Sequence, residues 1–405
     1  MTDDQTPRAK QYRVPGFKAG AVAAGIRYQD RPDLALIMSE VPAVAAGVFT
    51  TNKVQAAPVL LSRSHLTGHR ARAIVVNSGI ANACTGEVGL HRAQATAHLV
   101  SKAIGCPIHE VLVASTGVIG MDLPLEPLAN HLPKLISAVS GGGWFDAARA
   151  IMTTDRVPKI HMVKDMLDGR PFTVLGIAKG AGMIYPDMAT LLSFVATDAA
   201  VSAQVLQALV REETDRSFNR ITVDGDTSTN DTLFVLANGL AGNQPIKELD
   251  SSDGERLRGA LGQVLLNLAK MIVADGEGAT KFVEITVKGG SSKAAALLAA
   301  RTVSNSPLVK TALFGEDANW GRILAALGRA GIDFDPQGVQ LFFNGVKLVE
   351  NGLAVGQEAE TQASAILKEP SFSLTIDLGQ GKAEETVYTC DLSLDYVKIN
   401  ANYRS

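Results

Sequence analysis

Short apolar runs alternate with longer amphipathic or alanine-rich stretches along this chain. ARAIVVNSG from Ala71, HRAQATAHLVSKAIG from His91 and HEVLVASTGVIG from His109 are one such series. Runs that suit a buried strand, punctuated by segments of helical period, predict an α/β organisation. The same reading predicts helices over Leu125–Ser140, Trp144–Met152, Ala203–Asp215, Gly254–Ala274, Lys293–Arg301 and Trp320–Arg329. Strands are predicted over Phe172–Ala178, Leu191–Thr197, Ile221–Asp224, Leu233–Ala237, Phe282–Val287, Val339–Phe343 and Phe372–Ile376. No stretch is of low complexity and no repeat of fixed period occurs. A weak boundary is marked at Ser304–Pro307, and SGGGW around Gly142 reads as a loop before a helix.

Composition narrows the classes. With 405 residues, 46% hydrophobic and 20% charged, the chain can bury a large core in more than one subdomain. A net charge of −3 without a basic patch argues against nucleic acid as a partner. Cys84, Cys106 and Cys390 are odd in number and lack C-x-x-C spacing, which suggests neither a disulfide framework nor a zinc site, and fits a reducing compartment. The N-terminus lacks an apolar signal core, and the apolar runs elsewhere read as too short and interrupted to cross a bilayer, so the expectation is a soluble cytoplasmic protein.

The candidate chemistry centres on Lys179–Thr190, KGAGMIYPDMAT. Gly180 and Gly182 permit unusual backbone angles, Pro186 fixes its own φ, and Tyr185 before it is biased to extended geometry. The apolar run LLSFVAT that follows reads as a buried strand with Thr190 at its mouth. If the Thr190 hydroxyl attacks the Ala189 carbonyl, the chain is cut there and the freed α-amine, of ordinary pKa ~7.7–8.0, becomes a base beside the hydroxyl. Glycines, a proline and a threonine before a strand also describe an ordinary loop, and STG at Ser115–Gly117 alone reads as a turn.

The rest of the chain decides between these. NSGIANACTG from Asn77, ASTGVIG from Ala114, IMTTD from Ile151, KGAGMIYPDMATLLSF from Lys179, DGDTSTNDT from Asp224, DGEGATK from Asp275, GEDANWGRI from Gly315 and the tail YVKINANYRS form eight ordered blocks. Together they resemble the ornithine acetyltransferase family, the bifunctional glutamate N-acetyltransferases of arginine biosynthesis, almost from end to end. Three positions depart from the family's usual residues: Ile80 for Asn, Ala181 for Ser, and a final Ser405 for Thr.

The resemblance implies a layered α/β/β/α-type sandwich of stacked sheets flanked by helices, with a smaller C-terminal α/β subdomain from about residue 305. It implies self-cleavage into residues 1–189 and 190–405, with Thr190 as nucleophile and Thr116 and Gly117 as the oxyanion pair. Thr153, Lys179, Thr190, Glu277, Asn400 and Ser405 match substrate-binding positions. A substrate with an α-carboxylate and an ammonium needs both signs of charge, which Lys179 and Glu277 supply. The implied reaction moves an acetyl group from N-acetylornithine to glutamate through a Thr190 ester. It needs no cofactor or metal, and acetyl-coenzyme A is a second acetyl donor in bifunctional members. The implied assembly is a heterotetramer of two N-terminal (alpha) and two C-terminal (beta) chains, with no membrane partner.

Other constellations fall away. KGAGMIY lacks the third glycine of a dinucleotide fingerprint, His65 and His69 are separated by Gly68 without an H-E-x-x-H, and there is no G-x-S-x-G elbow. GEDANWGR reads as packing plus a helix cap from Asp317 or Asn319. Two alternatives stay open: a self-cleaving amidohydrolase or aminopeptidase of related architecture that passes the acyl group to water, and an uncut, non-enzymatic binding protein.

Overall fold

The computed structural model describes residues 11–185 and 191–402. The described chain divides into two compact units, each with its own sheet: residues 11–183, 191–219 and 226–272 form the first, and residues 184–185, 220–225 and 273–402 the second. The expected α/β class is observed, and both units mix strands with helices. Ser304–Pro307, the weakly marked boundary, lies between two helices of the second unit.

In the first unit the strands are β1 (Phe17–Val22), β2 (Leu34–Phe49), β3 (Arg70–Ile80), β4 (Val111–Val118), β5 (Lys159–Leu167), β6 (Arg170–Lys179), β7 (Leu192–Thr197) and, after the short β8 of the other sheet, β9 (Thr232–Ala237). Their order is β4-β3-β2-β9-β7-β6-β5, with β1 added to β2. Alternate residues feed opposite faces: Leu34 and Leu36 with Val75 join one apolar cluster, while Ala35 and Ile37 with Ile74 and Val76 join another. This is the period-two pattern of a sheet covered on both sides. Helices α1 (Ala57–His65), α2 (Gly86–Ile104) and α3 (Leu125–Ala138) contribute to the first cluster, α4 (Trp144–Ala150) to the second through the wholly buried Trp144, and α5 (Ala203–Asp215) follows β7. β2 is long because it changes partner midway, with a register break between Met38 and Ala43, where Pro42 cannot donate to a ladder.

β6 and β7 pair antiparallel over Val174–Lys179 and Leu192–Thr197, and β7 also lies parallel to β9. A cut between residues 189 and 190 would leave each product with strands of the same sheet.

The sequence reading is corrected at one helix. α6 (Ser252–Ala274) has the length and apolarity to cross a membrane, which no run of the chain was expected to have. Its Leu257, Leu261, Val264, Leu265 and Leu268 are buried, and Val264 and Leu268 pack so closely on β6 that a Cβ at Gly176 would lie 2.8 Å from each. Its apolar face thus serves a protein core.

The second unit joins β8 (Ile221–Thr222), β10 (Phe282–Gly290), β11 (Gln340–Phe343), β12 (Val346–Glu350), β13 (Leu353–Ala354), β14 (Ser371–Asp377) and β15 (Ala383–Cys390) in the order β13-β12-β11-β14-β10-β15-β8. Helices α7 (Lys293–Ser304), α8 (Pro307–Phe314), α9 (Trp320–Gly328) and α10 (Gln357–Ile366) add Ala299, Val309, Leu327 and Ala363 to its core. Asn319 caps α9 by accepting the Arg322 N–H at 3.1 Å, as the GEDANWGR block suggested. The terminal helix is α11 (Leu394–Ala401).

Candidate active site

The end of β4 carries Ser115, Thr116 and Gly117 beside the end of β3, where the ladder is irregular and Ile80 aligns with both Thr116 and Val118. Gly117 has φ +131°, and a Cβ there would sit 2.1 Å from the carbonyl carbon of Gly79. Only glycine fits, because both the backbone angle and the neighbouring strand exclude a side chain. Buried amides and hydroxyls fasten this strand end. Ser115 Oγ donates to Asn77 Oδ1 at 2.6 Å, Asn77 Nδ2 donates to the Ile80 carbonyl at 2.8 Å, and Asn230 Nδ2 donates to the carbonyls of Ala81 and Ser115 at 2.7 and 2.8 Å.

Lys179, at the end of β6, reaches this place. Its Nζ donates to Thr116 Oγ1 at 2.9 Å and to Thr153 Oγ1 at 3.1 Å, and the lysine is buried. An ammonium can only donate, so Thr116 accepts from Lys179 and keeps its own hydroxyl hydrogen for another acceptor. Three residues separated by 63 and 26 positions thus meet. Thr153 lies beyond α4, and Arg31 donates to the carbonyls of Met152 and Thr153.

A carboxylate that the sequence reading did not single out anchors the cluster. Asp155 Oδ1 accepts from Lys159 Nζ at 2.6 Å and from the Gly180 N–H at 2.7 Å, and Oδ2 accepts from the Thr153 N–H at 3.0 Å. Both side chains of the Asp155–Lys159 pair are fully buried. Burial alone would raise the Asp155 pKa; the charges of Lys159 and Lys179 and the Gly180 N–H overcome it and hold the carboxyl at about 2. Asp231 is the opposite case. It too is fully buried, with Oδ1 accepting the Leu191 N–H at 3.0 Å. Burial pushes its carboxyl well above the usual range, against the opposing pull of that N–H and of Lys179.

In the second unit Glu277 is buried, not the solvated loop carboxylate that a Glu between two glycines usually is, and its Oε2 accepts from Asn400 Nδ2 at 2.8 Å. The loop and α11 are fastened together: Ser393 caps α11 and donates to the Gly278 carbonyl at 2.6 Å, and a Cβ at Gly278 would lie 2.5 Å from the Tyr396 nitrogen. Tyr396 Oη donates to Asp224 at 3.2 Å. The C-terminal helix is docked within its unit.

The structure therefore gathers Thr116, Gly117, Thr153 and Lys179 in the first unit, and Glu277 and Asn400 in the second. Ala189, Thr190 and Ser405 lie outside the described residues. Asn77, Asp155, Asn230 and Asp231 were missed, although each lies inside a block already noted; the available signal was a charged or amide residue at the mouth of an apolar strand. Ile80 and Ala181, two of the departures from the family pattern, are buried apolar residues. Among the described residues no group of three or more His, Cys, Asp or Glu is placed to hold a metal.

Comparison with known proteins gives the chain's family. The sequence model of the ArgJ family matches residues 18–405. An "Arginine biosynthesis bifunctional protein ArgJ" of Geobacter sulfurreducens is 53% identical over 392 residues, spanning 97% of this chain and 100% of that protein. The protein of the same name from Thermotoga neapolitana is 47% identical over 397 residues, 96% of this chain and 99% of that one. A crystal structure of the Bacillus halodurans protein of that name, 39% identical, superposes with a TM-score of 0.50 over 52% of this chain and 98% of the solved one. With a family match over nearly its whole length and relatives at about half identity, this chain belongs to the ArgJ family and is an enzyme.

Proposed function

We propose that the chain cuts itself between Ala189 and Thr190, and that Thr190 then carries an acetyl group from N-acetylornithine to glutamate in arginine biosynthesis. The observation that carries this reading is the buried contact of Lys179 with Thr116 and Thr153 beside the glycine-only position 117. A lysine donating into the Thr116 oxygen makes the remaining O–H a stronger donor, and such a donor lowers the energy of a tetrahedral oxyanion. The same site serves both reactions, because each passes through that intermediate.

In the first reaction Thr190 Oγ bonds to the Ala189 carbonyl carbon, the Ala189–Thr190 C–N bond breaks, and water releases residues 1–189 as a carboxylate. In the second, Oγ gives its proton to the new α-amine and attacks the acetyl carbonyl of N-acetylornithine; ornithine leaves with a proton, and the amine of glutamate then takes the acetyl group from the ester. Splitting one amide exchange into two steps through an ester demands that water be kept away. Thr153, Lys179, Glu277, Asn400 and Ser405 are assigned to substrate binding, Lys179 to the substrate's carboxylate and Glu277 to its ammonium. The half-length solved chain of the 39%-identical relative, 98% of which is matched, supports a cut form. The assembly proposed is two alpha and two beta chains in the cytoplasm, with no cofactor and with acetyl-coenzyme A as an additional donor.

The test is Thr190→Ala. The expected product is one uncut polypeptide that transfers no acetyl group; two fragments in that variant would remove Thr190 from its role. Incubating the native protein with N-acetylornithine alone separates transfer from hydrolysis: ornithine released at the same rate without glutamate would favour the amidohydrolase reading.

A further inference from the structure

We propose that Asp391 is a positioning residue that sets substrate specificity: it clasps the turn that carries Glu277 and so fixes where that carboxylate meets the substrate's ammonium. The proposal rests on the reading of Glu277 as the acceptor of that ammonium, and goes beyond it by assigning the residue that holds Glu277 in place.

Glu277 occupies the second position of a tight turn, in which the Ala279 N–H donates to the Gly276 carbonyl at 2.9 Å. Gly278 follows it with φ +69°, a positive angle that such a turn demands at its third position. The closing hydrogen bond sets the shape of the turn but not its place. A buried side chain further along sets its place. Asp391 Oδ1 accepts the Thr280 N–H at 2.8 Å and the Lys281 N–H at 2.9 Å, and Oδ2 accepts from Thr280 Oγ1 at 2.6 Å. Because Asp391 is buried, these donors take the part that water would play for an exposed carboxylate.

The clasp is itself fixed. β10 and β15 pair as far as Phe282 with Cys390, and one residue beyond, Asp391 meets Lys281 through its side chain. Lys310 of α8, also buried, donates to Thr389 Oγ1 at 3.0 Å and to the Cys390 carbonyl, while its own carbonyl accepts the Leu392 N–H at 3.2 Å. Two residues after Asp391, Ser393 holds the Gly278 carbonyl and caps the helix that bears Asn400. The segment Asp391–Ser393 therefore grips the turn just after it closes and again within it, and the helix it starts brings Asn400 to Glu277 Oε2. A carboxylate recognises an ammonium by distance and direction, so its support is part of the recognition. N-acetylornithine brings a side-chain ammonium, whereas glutamate has a carboxylate in its side chain and its amine is the reacting group. Asp391 should thus matter for the first substrate and little for the second.

The test is the ratio of kcat/KM for N-acetylornithine to kcat/KM for glutamate, because a partly misfolded sample scales both values and leaves the ratio unmoved. Asp391→Ala should cut itself as the native chain does and lower the ratio about tenfold, the order expected for one misplaced hydrogen bond to a charged group. Asp391→Asn keeps Oδ1 for the two N–H groups and can donate to Thr280 Oγ1 from Nδ2, so its ratio should lie within about threefold of native. Added to Glu277→Gln, Asp391→Ala should lower the ratio no further, since it acts through Glu277. The measurements are steady-state transfer kinetics, a denaturing gel for cleavage and a thermal melt to establish folding. A folded Asp391→Ala chain that has a native ratio, or that stays uncut, would overturn the proposal. So would an Asp391→Asn ratio as low as that of Asp391→Ala, or a further loss on the Glu277→Gln background. If Asp391→Ala fails to fold, Thr280→Val, which removes only the Oδ2 contact, carries the test: a ratio lowered about threefold supports the proposal, and a native ratio overturns it. Glu277→Gln distinguishes the failures: a native ratio in that variant would sink the reading of Glu277 and this proposal with it, whereas a lowered ratio there beside a native Asp391→Ala would sink this proposal alone.

Discussion

The candidate residues of the two units are held in different ways. In the first unit, strand ends and loops bring Thr116, Thr153 and Lys179 together over an Asp155–Lys159 pair with no exposed surface. In the second, Glu277 is buried but its partner Asn400 stands on an exposed terminal helix, one residue from its end. Buried, mutually bonded charges cannot relax when one is removed, whereas an exposed amide can be replaced by water. Substitutions in the first unit should therefore have steep effects on stability and chemistry, and those in the second shallow effects, expressed mainly in substrate binding.

Asp155→Ala tests the steep side hardest. It leaves Lys159 buried without its carboxylate and removes the acceptor of the Gly180 and Thr153 N–H groups, which should cost about 3–5 kcal/mol of stability. A chemical denaturation curve within 1 kcal/mol of native would show that the pair is not holding the cluster. The same residue gives a pH signature. Its folded pKa, about 2, is depressed from the ordinary 3.8, so its stabilisation is present above pH 4 and lost as pH falls towards 2. The shift corresponds to about 2 kcal/mol, and an acid-unfolding curve of the Asp155→Asn chain should lack that component.

Thr116→Ala comes next. It should slow cleavage and transfer together, by about 10²–10³ in kcat, and also lower the melting temperature, because the buried Lys179 loses an acceptor. Loss of one reaction without the other would break the claim that a single oxyanion site serves both. Glu277→Gln should leave cleavage near native while lowering transfer, because only transfer needs the substrate's ammonium; equal losses would make Glu277 a folding residue. Asn400→Ala should be mildest, about 0.5–1.5 kcal/mol for the lost hydrogen bond, with KM raised and cleavage untouched.

Much of the architecture was legible because local pattern and tertiary role coincide. The helix predicted over Ala203–Asp215 is observed with those ends, and the apolar run after Thr190 forms β7 from Leu192. Predictions near Phe282, Val339 and Phe372 likewise became strands of the second sheet. β2 was harder to read, because its 16 residues include a proline and a change of partner, neither of which has a period. The length and apolarity of α6 would suit a membrane, and it is its packing on β6 that shows it serves a core. At the site, Thr116, Gly117, Thr153 and Lys179 were named from their blocks, while Asp155 and Asp231 were not. Their significance lies in burial and in partners on other elements, and in sequence each is one acid at the end of a polar stretch.

The central claim is that the chain becomes two at Ala189–Thr190. Intact-mass analysis of the purified protein under denaturing conditions, with sequencing of the fragment ends, tests it directly. The account predicts two species, one ending at Ala189 and one beginning Thr-Leu-Leu-Ser-Phe from Thr190. A single active 405-residue species, or a cut at another bond, would contradict it.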